Sequence, residues 1–100
     1  MTTTTATDGL AALSHPLRVR ALFTIEATPK GVSPKELAAE FDVPLANMAY
    51  HVQVLRDKRA IDLKRREPRR GAVEHLYVLS KEGERLVGAA RTLGYGGATA

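Results

Sequence analysis

Apolar residues fall three and four apart through positions 17–25, 37–41 and 48–55, alternate with polar ones at Ile61-Asp62-Leu63-Lys64, and return to helical spacing from Leu86 to Leu93. Helical spacing gathers side chains on one face of a helix, and alternation gathers them on one face of a strand. The pattern therefore predicts several helices, a strand pair and a closing helix. A short helix is expected over residues 8–13, carrying Leu10 and Leu13. A second is expected over residues 16–27, with Leu17, Ala21, Leu22 and Ile25 as its core stripe. Thr28-Pro29-Lys30-Gly31 ends it, since Pro and Gly both interrupt helices.

Residues 33–58 hold the strongest local signals. Ser33-Pro34-Lys35-Glu36 is a helix start in which Ser33 accepts from free backbone amides, Glu36 reaches back, and Pro34 sits where no donor is needed. Leu37, Ala38 and Phe41 then share a face. Asp42 follows where the chain must turn, and Asp tolerates the left-handed conformation better than most non-glycine residues. The next helix, residues 45–58, points Met48, Val52 and Leu55 inward. Two amphipathic helices joined this tightly predict a helix-turn-helix, whose second helix can enter the DNA major groove.

A half-buried strand is expected at residues 61–64 and its β-branched, aromatic partner at residues 73–79. Between them, Arg65-Arg66-Glu67-Pro68-Arg69-Arg70-Gly71-Ala72 reads as a loop, with Pro68 and Gly71 supplying turn geometry. A hairpin with a basic tip directly after a helix-turn-helix is a winged helix. The last helix opens at Ser80 and continues through Leu86, Val87, Ala90 and Leu93. The expected class is thus mainly α with a small β-hairpin (α+β), a winged helix-turn-helix over residues 8–93. Low-complexity residues 1–7 and 94–100 are expected as flexible ends.

With those elements placed, three stretches resemble one family. Leu13-Ser14-His15-Pro16-Leu17-Arg18-Val19-Arg20-Ala21-Leu22 is similar to the opening helix of arsenical-resistance-repressor (ArsR-type) transcriptional regulators. Residues 43–56, including His51-Val52-Gln53-Val54-Leu55-Arg56, resemble their recognition helix. Arg70-Gly71-Ala72-Val73-Glu74-His75-Leu76-Tyr77 resembles the wing and returning strand of a cysteine-free, actinobacterial-like branch. The resemblance spans roughly residues 10–93. It implies a repressor that binds duplex DNA as a homodimer paired through its terminal helices, with any small-molecule effector held near the subunit interface.

Charge agrees with a polyanionic partner. The net charge of the 100 residues is +4, yet residues 56–70 alone hold eight Arg/Lys against three acids. A basic patch beside a helix-turn-helix is the footprint of a phosphate backbone; the alternative is a hairpin edge charged against aggregation. The DNA-facing candidates are Leu45, Ala46, Asn47, Ala49, Tyr50 and Gln53 on the recognition helix, Arg56 at its end, and Lys64, Arg65, Arg66, Arg69 and Arg70 on the wing. Arg56 also complements the helix dipole without DNA. Leu10, Leu13, Leu86, Ala90 and Leu93 form apolar stripes that either pair two subunits or close the monomer core. Many family members carry more Ser and basic residues on the recognition helix than Pro44, Leu45, Ala46 and Ala49 provide.

The chain has no cysteine, which excludes disulfides and thiolate metal sites. His15, His51 and His75 lack the spacing of a zinc site, and His51 reads as a packing residue. Neither a catalytic pair nor a phosphate loop is present, so no enzyme, cofactor or metal is expected. No apolar run spans a bilayer and the N-terminus is not a secretory signal, which fits a cytoplasmic, nucleoid-associated protein. Two other readings remain: a winged-helix module that binds another protein, and a non-specific architectural DNA-binding protein.

Overall fold

The computed structural model describes residues 10–95, and the expected flexible segment 1–7 and most of the 94–100 tail lie outside them. In order, a 3₁₀ turn Ala12–Ser14 leads to α1 (Pro16–Glu26), α2 (Pro34–Phe41), α3 (Leu45–Asp57), the antiparallel pair β1 (Ile61–Arg69) and β2 (Ala72–Leu79), and α4 (Lys81–Thr92). Leu10 and Ala11 are helical and run into that turn, so the helix expected over residues 8–13 is present where described. Its start at Asp8 lies outside the described residues.

Helices α1, α2 and α4 each begin where a side chain satisfies orphan amides, whereas α3 follows Pro44 with no side-chain cap. His15 Nδ1 accepts from Leu17 N at 3.1 Å before Pro16 opens α1. Ser33 Oγ accepts from Glu36 N at 3.1 Å while Glu36 Oε1 accepts from Ser33 N at 2.9 Å, a complete capping box. Asp42 ends α2 in the left-handed region (φ 56°, ψ 51°), so the tight turn falls where its residue type allowed it. Ser80 Oγ accepts from Gly83 N at 2.9 Å and donates to Arg59 O at 2.6 Å, joining the start of α4 to the end of α3. Gly83 is required there: a Cβ would stand 2.0 Å from Ala60 O.

One core unites these elements. Val19, Ala21, Leu22 and Ile25 of α1, Leu37 and Ala38 of α2, Met48, Val52 and Leu55 of α3, Ile61 and Tyr77 of the strands, and Leu86, Val87 and Ala90 of α4 are all buried together. Val32 exchanges backbone hydrogen bonds with Tyr77 (3.1 and 2.9 Å), tying the α1–α2 loop to the free edge of β2.

Two expectations are corrected. The stretch 65–72 is not a loop. Both strands continue through it to a two-residue turn at Arg70-Gly71, with φ +50° and +83°. Positive φ at both central positions is the hairpin turn whose twist matches the strands. The arginines stay in water because the hairpin projects from the body, so backbone pairing extends without burying charge. Pro68 lies within β1, opposite Val73, and the register slips once between Leu63 and Arg65. Second, Leu13, Leu86 and Ala90 do not face outward. They are 7%, 0% and 1% exposed, because α4 packs back onto α1 and a small domain needs those side chains for its own core. Of the five interface candidates only Leu10 and Leu93 are exposed, Leu93 at 69%.

Candidate nucleic-acid interface

The inward anchors of α3 decide what it presents outward. With Met48, His51, Val52 and Leu55 buried, the positions between them emerge: Leu45 is 50% exposed, Tyr50 63%, and Ala46, Asn47, Ala49, Gln53 and Arg56 are also exposed. The first turn of α3 and the outer part of the hairpin border one cleft of about 820 Å³. Leu45 and Ala49 line one side, Arg69, Arg70, Ala72, Val73, Glu74 and His75 another, and Pro34, Lys35, Glu36 and Ala39 of α2 complete it. Arg56 closes the far end of α3 against the hairpin base, its guanidinium carbon 5.5 Å from the Tyr77 ring centroid.

The wing arginines divide into two kinds. Arg69 donates to Glu67 at 2.6 Å and Glu74 at 3.4 Å, and its ion pair with Glu36 of α2 spans 3.7 Å. The hydrogen bonds from Arg69, then Arg65, hold the Glu67 carboxyl below its ordinary value, and Glu67 in turn raises Arg69. Arg65 donates to Glu67 at 2.9 Å and to Lys30 O at 2.8 Å, pinning the hairpin to the α1–α2 loop. Arg66 and Arg70 are exposed and have no acidic partner among the described residues. Lys64 is not on this cleft; it borders a separate hollow with Glu26, Pro29 and Glu84. The register that sets Glu67 opposite Glu74 makes the double clamp, which no local reading could supply.

Arg18 was missed as a buried organiser. It shares the inner stripe of α1 with Ala21, Leu22 and Ile25, at offsets of three, four and seven, and that placement was the available signal. Its Nε donates to Ala12 O (3.1 Å), its Nη2 to Ser14 Oγ (2.9 Å), and its Nη1 lies 3.1 Å from His51 Nδ1. An arginine only donates, so Nδ1 accepts and the neutral His51 ring carries its proton on Nε2. The His15 ring lies 4.3 Å from it between centroids, tilted by 46°. Burial first, then His15 and Arg18, push the His51 pKa below its ordinary value. The inner side of α3 is thereby joined to the segment that precedes α1.

Among the described residues no three His, Cys, Asp or Glu side chains could hold a metal ion together, and no helix is long and apolar enough to cross a membrane.

A helix-turn-helix domain family matches residues 13–64. That interval runs from the 3₁₀ turn to β1 and contains all of α3. No curated protein matches the chain by sequence. Among solved structures, reduced HlyU from Vibrio cholerae is similar with a TM-score of 0.74 at 18% identity, over 93% of this chain and 92% of that one. A second HlyU structure from Vibrio cholerae gives 0.70 at 18% identity, over 92% and 94%. An ArsR family transcriptional regulator gives 0.64 at 22% identity, over 93% and 89%. At these identities the likeness is one of fold, and it extends through the hairpin and α4 beyond the matched family interval.

Proposed function

The chain belongs to the helix-turn-helix domain family, and from that premise we propose that it is a transcriptional regulator, not an enzyme, that binds duplex DNA. Helix α3 enters the major groove, and Arg66 and Arg70 of the hairpin approach the backbone or the adjacent minor groove. One observation carries this reading: Leu45 and Ala49 of α3 and Arg69 and Arg70 of the hairpin border the same cleft, which supports a single duplex reaching both elements. Base edges are met from the helix and phosphates from the wing, the division of labour of groove-reading proteins.

A second copy of the chain completes the proposal. Leu10 and Leu93 remain exposed after the core is closed, and Tyr95 beside Leu93 is 42% exposed. Pairing these residues across a two-fold axis sets two α3 helices about 10 base pairs apart, in successive major grooves. Occupying an operator this way blocks polymerase, so repression is the proposed outcome.

The test is binding of the full chain to a mixed duplex pool across salt concentrations. The expected result is a log K that falls with log salt by about 0.9 per phosphate neutralised. Lack of duplex binding at low salt overturns the reading and favours the protein-interaction module. Binding with no enriched motif after selection favours the architectural protein.

A further inference from the structure

Building on the duplex-binding reading, we propose that α3 recognises thymine through its 5-methyl group, with Leu45, Ala46 and Ala49 as specificity-determining residues. All three are exposed on the outer face of the first turns, and none carries a side-chain hydrogen-bonding group. The amides on this helix are scarce. Asn47 stands alone in the first turn, and the Gln53 Nε2 already donates to Asp57 Oδ1 at 2.9 Å. Bidentate amide or guanidinium pairs, the usual way to read adenine or guanine, therefore have little to work with here. The one apolar group that a base edge shows in the major groove is the thymine methyl.

The cleft suits such a group. Leu45 and Ala49 form one wall, and Ala72 and Val73 of β2, the latter 58% exposed, lie across from them. Leaving a leucine half in water at the start of a helix is unfavourable until something apolar covers it. Alanine at positions 46 and 49 lets a base edge come within contact distance. The carboxylates that also border the cleft, Glu36 and Glu74, are engaged by Arg69, whereas Arg70 on the cleft and Arg66 on the same hairpin are unpaired cations beside its apolar walls. That combination fits a methyl-bearing polyanion and leaves the arginines unused by an uncharged apolar ligand.

The experiment selects duplexes from a random pool with the full chain and resynthesises the enriched duplex with deoxyuridine at each thymine in turn. Within the contacted steps, each methyl removed is expected to weaken binding about fourfold, the fold-change equivalent to about 0.8 kcal/mol for one methylene-sized group. Uracil at flanking positions leaves the affinity unchanged. In Leu45→Ala the thymine-to-uracil ratio falls toward one while the salt slope is kept; Ala49→Ser gives a second, independent readout. The proposal is overturned by a half-site without A·T pairs, or by equal affinity for thymine and uracil duplexes with the salt slope intact. It is also overturned by a ratio that persists in both variants, which would mean duplex stiffness is being read. Equal affinity sinks this inference alone, whereas absence of salt-dependent binding sinks the duplex-binding reading with it.

Discussion

Helix α3 carries a single cation along its length, Arg56, and turns Leu45, Ala46, Ala49 and Tyr50 outward; the hairpin carries Lys64, Arg65, Arg66, Arg69 and Arg70 within seven residues. The helix is seated by buried Met48, Val52 and Leu55, so its outer face has one fixed orientation. The hairpin has few buried side chains beyond Leu76 and Tyr77, and it is placed by an exposed ion pair to α2 and a hydrogen bond to a backbone carbonyl of the α1–α2 loop. Shape is thus concentrated on one side of the cleft and charge on the other. On the proposed duplex-binding reading, discrimination between sequences and overall affinity would reside on separate elements, and variants of each should move one without the other.

The largest effect is expected from the unpaired wing cations. Arg66→Ala with Arg70→Ala should weaken binding to every duplex about a hundredfold, since a hydrogen bond to a charged group is worth about 1.5–3 kcal/mol. The salt slope should fall by about two, and the preference between sequences should stay as it was. Titration of the double variant against a selected and a scrambled duplex checks this. A change in the preference itself would break the separation of roles.

The paired cations give the next effect. Glu67→Gln with Glu74→Gln removes two of the three carboxylates on Arg69, leaving only Glu36 at 3.7 Å, and so frees its guanidinium to engage a phosphate. Affinity should rise, by up to about tenfold, and the salt slope should steepen by about one. Exposed pairs contribute little to folding, so the melting temperature should scarcely move. Weaker binding would instead mean that the carboxylates position the wing.

Much of the helix side is legible in the sequence, and the reason is locality. The Ser33–Glu36 box, the left-handed Asp42 and the inward Met48, Val52 and Leu55 depend on neighbours within a few residues. The wing side was less readable because its features depend on register. The clamp on Arg69 needs Glu67 opposite Glu74 and Glu36 across a gap, and the Arg70-Gly71 turn lacks the Asn or Asp that usually signals its form. Leu13, Leu86 and Ala90 carried a stripe that fits an interface or a core equally well, and only the packing of α4 on α1 decided between them. Arg18 is hard to read for a similar reason: its place on the core stripe is local, but its partner His51 is brought to it only by the packing of α3 on α1.

Acid should act on the seat of the helix and leave the wing's charges alone. Folded His51 has a lowered pKa, while in the unfolded chain it titrates near the ordinary value of about 6.5. Below that value the unfolded state takes up a proton that the folded state resists, so this contribution is fully present above pH 6.5. It is lost as pH falls through the folded value. The groups around the ring are Arg18 from α1, His15 tilted against it, and Tyr50 at its edge; Arg18 and His15 both oppose a positive charge on His51. Urea midpoints at pH 7.5 and 5.5 should differ more in the wild type than in His51→Gln. An equal difference in both would assign the acid sensitivity elsewhere.

The smallest effect is the sharpest probe of the comparison. Gln53→Ala should change affinity less than about twofold and leave the selected motif intact, because the Gln53 amide is already engaged with Asp57 one turn later. A side chain with an internal partner gains little by exchanging it for a base, whereas a free one gains a bidentate pair worth about 1–3 kcal/mol of discrimination. The constraint is testable from its other end. Asp57→Ala removes the partner and frees the amide, so in that background Gln53→Ala should cost more than it does alone. The double-mutant cycle measures the difference directly. If Gln53→Ala alone costs tenfold and erases one position of the motif, α3 reads by hydrogen bonds after all, and the contrast between an apolar helix and a charged wing fails at that residue.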